Sequence, residues 1–265
     1  MPSVIGRGVA VEVDPVDGGR ITSLWAHGRE WLAPSGQRPQ IESFVEAGTG
    51  GWDDIVPTVE ACRLPDGTQL RDHGDVWRQA WTVISTTASR LVMRTDLTSL
   101  PVIIERRIEE SPSGLRLSWM ASTTSVDPIP LLWSAHPLFA APPGTRLETG
   151  VQVLTSEHPC RGTPVATPDG IDSIGAGQTL KAFASGEACA TVAHSDGRGI
   201  RFTWDPSQLP HLGLYWDRDA FTDTPVVAIE PTTGPSDSAA RALAALPTLC
   251  SERALTWWIE VSVVG

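Results

Sequence analysis

Leu115-Arg-Leu-Ser-Trp-Met-Ala121 alternates over its first five positions, with Leu115, Leu117 and Trp119 on one side and Arg116 and Ser118 on the other. Side chains along a strand point to opposite faces in turn, so the segment reads as a strand with one face in a core and one toward water. Its upstream neighbours, Trp81-Thr-Val-Ile-Ser85, Leu91-Val-Met-Arg-Thr-Asp-Leu97 and Val102-Ile-Ile-Glu-Arg-Arg-Ile-Glu109, read as the other strands of one meander. Regular short strands without a sustained helical period are the signature of a sandwich. The 24 glycines and 22 prolines supply the turns that such a chain needs. The fold class is therefore all-β, a large antiparallel β sandwich. With no internal repeat, linker or composition break, residues 1–265 read as a single domain.

Outward from the meander the same pattern continues. Val9–Asp14 and Arg20–Trp25 are strands around the turn Pro15–Gly19, and Ala26–Arg29 is a second turn that carries His27. The Gly-rich run that opens Phe44–Glu60 lets the backbone pass close to another strand or to a ligand. It lacks the lysine and the following helix of a phosphate loop. Residues 142–185 show no clear period. Ala190–Ala193, Ile200–Trp204 and His211–Trp216 read as strands, Ala239–Ala245 as a helical turn and Leu255–Val263 as the last strand.

Composition excludes several function classes. A net charge of −11, scattered along the chain, argues against nucleic acid and anionic membrane as partners. No apolar run approaches the roughly 18–20 residues of a membrane span. The start lacks the order of a signal peptide, which makes the expected location cytoplasmic. Cys62, Cys160, Cys189 and Cys250 form no Cys-x-x-Cys pair and are expected as reduced core residues. No ligand spacing supports a metal site. Eleven tryptophans against one tyrosine admit two readings, core filler or flat platforms for sugar rings.

Three stretches carry candidate chemistry. Pro225-Val-Val-Ala-Ile-Glu-Pro-Thr-Thr-Gly234 is a β-branched run that ends on Glu230, with Pro231 unable to extend a ladder. A carboxylate at the rigid end of a buried strand is placed to act on a bound molecule. Taken alone it also reads as a strand end facing water. Pro128–Ala140 places His136 in an apolar run, where it is either a hydrogen-bonded core residue or an imidazole whose charge one partner can set. Asp72-His73-Gly74, crowded by acids and tryptophan, is either an exposed turn or a ligand contact.

Together these stretches resemble the aldose 1-epimerase (galactose mutarotase) family. The likeness rests on Gly19–Leu24 with Gly28–Leu32, on Asp72-His-Gly74 and Ala135-His-Pro-Leu-Phe139, on Leu212–Trp216, and on Ile229-Glu-Pro-Thr-Thr-Gly234, in that order. It implies a sugar cleft on one concave sheet, Glu230 as general base, His136 as general acid and His73 as a sugar contact. Further expected substrate-binding residues are Trp216, Asp217, Arg71 and Asp53. One departure stands out: many members carry Asn-Arg after the proline matching Pro57, where this chain has Thr58-Val-Glu60. The expected activity is interconversion of the α and β anomers of a hexose, by a monomer or homodimer, without cofactor or metal. The alternatives are a non-catalytic carbohydrate-binding or regulatory protein, and a mutarotase of a phosphorylated sugar using Arg71 and Arg78.

Overall fold

The alternation seen in the sequence becomes two stacked antiparallel sheets in the computed structural model, which describes residues 1–34 and 50–265 apart from the Arg78 side chain. In the larger sheet, Val226–Thr232 lies between Ser134–Ala140 and His211–Arg218. Beyond Ser134–Ala140 come Gly51–Ile55, Arg20–Ala26, Val9–Asp14 and Ser3–Ile5. Beyond His211–Arg218 come Gln178–Ser185, Val153–His158 and Pro164–Ala166. The second sheet runs Arg146–Glu148, Cys189–Ala193, Gly199–Trp204, Leu255–Val264, Gly114–Ser122, Ile103–Ser111, Arg90–Asp96 and Thr82–Thr87. Leu115, Leu117 and Trp119 are buried, while Arg116 and Ser118 are half-buried, as the alternation requires.

The core lies between the sheets, and tryptophan fills much of it. Nine of the eleven are buried, with Trp25 and Trp258 the exceptions. Trp119, Trp133 and Trp257 form one cluster, with ring centroids 4.6 Å apart for Trp119–Trp133 and 5.2 Å for Trp133–Trp257. Each such ring pair adds about 0.5–1.5 kcal/mol beyond the area it buries. The core-filler reading of these residues holds.

One ion pair crosses this core. Arg106 donates to Asp54 Oδ2 at 2.9 Å and also to the Gly19 carbonyl, and Trp119 Nε1 donates to the same Asp54 oxygen at 3.0 Å. Burial raises the Asp54 pKa against the pull of Arg106 and the Trp119 hydrogen bond.

Part of the glycine run is explained by backbone approach. A Cβ on Gly50 would sit 2.1 Å from the Pro34 carbonyl oxygen, and one on Gly51 would sit 2.9 Å from that of Ile21. Both residues have positive φ, so the run serves strand packing at these positions. The preceding Phe44–Thr49 lies outside the described residues.

Three expectations change. The Glu230 strand does not stop at Glu230 but runs through Pro231, which pairs with Leu212, to Thr232. The cysteines are free, yet Cys160 and Cys189 are exposed and Cys62 and Cys250 half-buried, so none is a core residue. The stretch 142–185, opaque in sequence, folds into four strands: Arg146–Glu148, Val153–His158, Pro164–Ala166 and Gln178–Ser185. Among the described residues no helix is long and apolar enough to cross a membrane.

Candidate active site

Two prolines open the middle of the larger sheet. Thr233 N donates to the Trp133 carbonyl, and Ala141 N to that of Pro225, each at 3.0 Å. Ser134 pairs with Thr232 and Phe139 with Val227, so one register holds from end to end. Hydrogen-bonded pairs recur at every second residue of an antiparallel ladder. The intervening ones fall at Ala135–Pro231, Pro137–Ile229 and Phe139–Val227, and in the first two a proline has no N–H to give. The same register sets His136 opposite Glu230, between the two proline-bearing positions. This pair is of the non-hydrogen-bonded kind, in which facing side chains stand closest.

The same row continues across the sheet. Asp53 is the partner of His136 on one side, and Gly213 is the partner of Glu230 on the other. Strand alternation sends Val227, Ile229, Leu214 and Trp216 into the inter-sheet core. It sends Ala228, Glu230, Gly213 and Tyr215 to the opposite face.

On that face lies a cavity of about 230 Å³, walled by His73, His136, Lys181, Tyr215, Glu230 and Asp237, with His158, Phe221 and Thr222 also in its lining. His73 reaches it from a tight turn. Its φ is +53°, its N–H donates to the Val59 carbonyl at 2.7 Å, and the next residue, Gly74, packs so closely on Val56 that a Cβ would lie 2.1 Å from the Val56 oxygen. The His73 and His136 rings meet edge to face, with centroids 5.4 Å apart. Nδ1 of His73 lies 3.0 Å from the Asp72 carboxylate. Three residues far apart in sequence, His73, His136 and Glu230, are thus gathered in one pocket.

Glu230 is 1% exposed. Its Oε2 accepts from Lys181 Nζ, while no hydrogen-bond donor among the described residues reaches its Oε1. Lys181 Nζ also lies 3.7 Å from Asp237 Oδ1. Burial raises the Glu230 pKa, and the Lys181 ammonium only partly offsets it. Burial likewise raises that of Asp237. For Lys181, burial pulls downward, but Asp237 and Glu230 together outweigh it and the net shift is upward. Burial, with the Asp217 carboxylate beside it, pushes the Tyr215 phenol up.

The other expected contacts lie off the cavity wall. Trp216 is fully buried between the sheets because it alternates with Tyr215, so it is a core residue and not a sugar platform. Trp216→Phe is therefore expected to lower stability by about 0.5–3 kcal/mol while leaving sugar affinity unchanged. Paired calorimetric and denaturation measurements check both halves. Asp217 accepts from Tyr215 Oη (2.7 Å), Ala220 N (2.8 Å), Phe221 N (3.0 Å) and Thr222 Oγ1 (3.3 Å). It thereby builds the loop that presents Phe221 and Thr222. Arg71 is turned to Asp75 (3.3 Å) and Thr98 (3.0 Å). Asp53 is buried beside His136, on the neighbouring strand.

Lys181, Tyr215 and Asp237 were not singled out from sequence. For Lys181 a signal existed: in Gln178-Thr-Leu-Lys-Ala-Phe-Ala-Ser185 it shares a face with Thr179 and Phe183, and a lysine within an apolar alternation asks for a buried partner. Asp237 sits in a serine-rich turn that reads as solvent-exposed. Its own carbonyl accepts from Val59 N (2.9 Å) and Glu60 N (2.8 Å), which binds that turn to the Thr58–Glu60 segment. Glu60, at the departure after Pro57, is gripped by Arg241 with bonds of 2.9 and 2.6 Å, and Arg161 joins it at 3.0 Å. Arg241 and Arg161 are thus occupied by carboxylates, and the lysine or arginine among the described cavity residues is Lys181.

No protein-family model matches the chain, and no curated protein is similar to it in sequence. Solved structures do match. The Slr1438 protein from Synechocystis superposes with a TM-score of 0.80 at 17% identity, over 99% of this chain and 96% of that one. A galactose mutarotase-like protein from Lactobacillus casei gives 0.77 at 15% identity over the whole of both chains. A galactose mutarotase related enzyme from Lactobacillus acidophilus gives 0.74 at 14%, over 99% and 97%. The fold is the galactose mutarotase-like β sandwich.

Proposed function

We propose that this chain is an aldose 1-epimerase-like isomerase that interconverts the anomers of a neutral aldose by general acid–base ring opening. The observation that carries the reading is that Glu230 and His136, set opposite each other by the register of their strands, wall one cavity, with Glu230 Oε1 buried and given no donor among the described residues. Glu230 Oε1 takes the proton of the anomeric hydroxyl while His136, protonated, gives one to the ring oxygen. The C1–O5 bond breaks, the open aldehyde turns about C1–C2, and re-closure on the other face returns both protons. Acid and base must hold opposite protonation states side by side, and each transfer is worth about 10²–10⁴-fold. His73, against His136, steadies the imidazole and contacts the sugar.

Charge in the wall favours a neutral sugar. Among its described residues Lys181 is the one lysine or arginine, and two carboxylates, Glu230 and Asp237, already claim it. Arg71 is committed elsewhere, and the Arg78 side chain lies outside the described residues. A phosphorylated sugar would meet two acids and no uncommitted lysine or arginine among the described lining residues.

Polarimetry on fresh α-glucose and α-galactose, with the 6-phosphates in parallel, tests the reading. Catalysed mutarotation of the free sugars alone is expected. Catalysis requires ionised Glu230, whose pKa is raised, so the rate should fall as pH drops through a value above the usual carboxylate range. An acid limb at or below that range would contradict the buried-base assignment. A second reading, a sugar-binding module without catalysis, draws on the Lys181 contact that engages one Glu230 oxygen. Calorimetric sugar binding with no catalysed mutarotation would select it.

A further inference from the structure

We infer that Lys181 is the positioning residue of this site, fixing Glu230 as an ionised base with Oε1 left free to accept, and that the missing side chain of Gly213 makes that contact possible. The inference rests on reading Glu230 as the base.

Three observations carry it. Lys181 is on Gln178–Ser185, two strands away from Glu230, and opposite Tyr215 rather than in the Glu230 row. Its side chain crosses the intervening strand at Gly213, the cross-strand partner of Glu230. A Cβ built on Gly213 would sit 3.3 Å from Lys181 Nζ, 3.4 Å from its Cε and 3.3 Å from Glu230 Cβ, so any side chain there would crowd both partners. Gly213 has no positive φ to favour glycine; what favours it here is the space that Lys181 and Glu230 occupy. Finally, the two Glu230 oxygens differ: one is bound to Lys181 and the other has no donor among the described residues.

A buried carboxylate with one oxygen tied down has a single orientation, which is what a base aimed at one hydroxyl requires. Asp237 completes the arrangement. By sharing the ammonium at 3.7 Å it keeps Lys181 charged and centred, and limits how far Lys181 weakens the basicity of Glu230. Asp237 is itself held by the turn that binds Thr58–Glu60. The charged and titratable groups facing this cluster among the described residues are Lys181, Tyr215, His136, His73, His158, Asp237, Glu157 and Glu60.

The test uses the full chain with Lys181→Met and Gly213→Ala, read by the pH profile of mutarotation and by ¹³C NMR titration of the Glu230 carboxyl. An ion partner at this range lowers a carboxyl pKa by roughly 1–3 units. Lys181→Met should therefore move the acid limb and the NMR midpoint up by about that much, with kcat falling more than sugar affinity. Gly213→Ala should move both the same way and by less, and it preserves every charge should Lys181→Met fail to fold. An unchanged Glu230 midpoint in the variants overturns the inference even if mutarotation persists. A parent chain that catalyses nothing, but whose Glu230 midpoint shifts in the variants, overturns the enzymatic reading and leaves the Lys181–Glu230 coupling standing.

Discussion

Glu230→Gln should lower the rate of anomer interconversion by about 10²–10⁴-fold while leaving sugar affinity within a few-fold of the parent. The two side chains have the same shape. The amide oxygen of glutamine can still accept from Lys181, so the anchored half of the contact persists. At the Oε1 position the NH₂ then stands where an acceptor is needed, and a donor there cannot take the anomeric proton. Lys181 keeps Asp237 as counter-ion, so the folded state is retained. Polarimetry for rate and calorimetry for affinity give the two numbers. Undiminished turnover in this variant would remove Glu230 from the mechanism.

The second large effect is on stability. Asp54→Ala is expected to cost about 3–5 kcal/mol, because it strands Arg106 as a buried charge with one carbonyl left to bond. It also deprives Trp119 Nε1 of its acceptor at the centre of the tryptophan cluster. Gly51–Ile55 carries Asp54 on its core face and Asp53 beside His136 on the other, so loss of this pair loosens the strand that backs the site. Chemical denaturation measures it; a cost under about 1 kcal/mol would mean that Arg106 finds another partner or is hydrated in the variant.

Much of the fold was legible because its signal is local. The period-2 alternation of Leu115–Ala121 and its neighbours specifies strand faces without reference to anything distant. Glu230, His136 and His73 were legible only as a set of motifs in order, and their meeting depends on a register that short windows cannot reveal. The role of Pro137 and Pro231 illustrates the limit. Proline in a strand reads as a stop or an edge, yet here the two occupy central strands, and the donors they lack open the ladder around His136 and Glu230. Trp216 was misread for a related reason: position next to a motif does not say which face a side chain takes, and alternation from Tyr215 decides it, whereas Asp217 shares the Tyr215 face but is taken up by the loop whose donors it accepts. Lys181 was missed because its partner is 49 residues away and reached through an absent side chain, Gly213.

A crystal structure of the Glu230→Gln variant soaked with an unphosphorylated aldohexose tests the central claim most directly. The account predicts the pyranose in the cavity with its anomeric oxygen within about 3 Å of residue 230 and its ring oxygen at the same distance from the His136 imidazole. A sugar bound with its anomeric carbon turned away from both, or bound elsewhere on the sandwich, would contradict it.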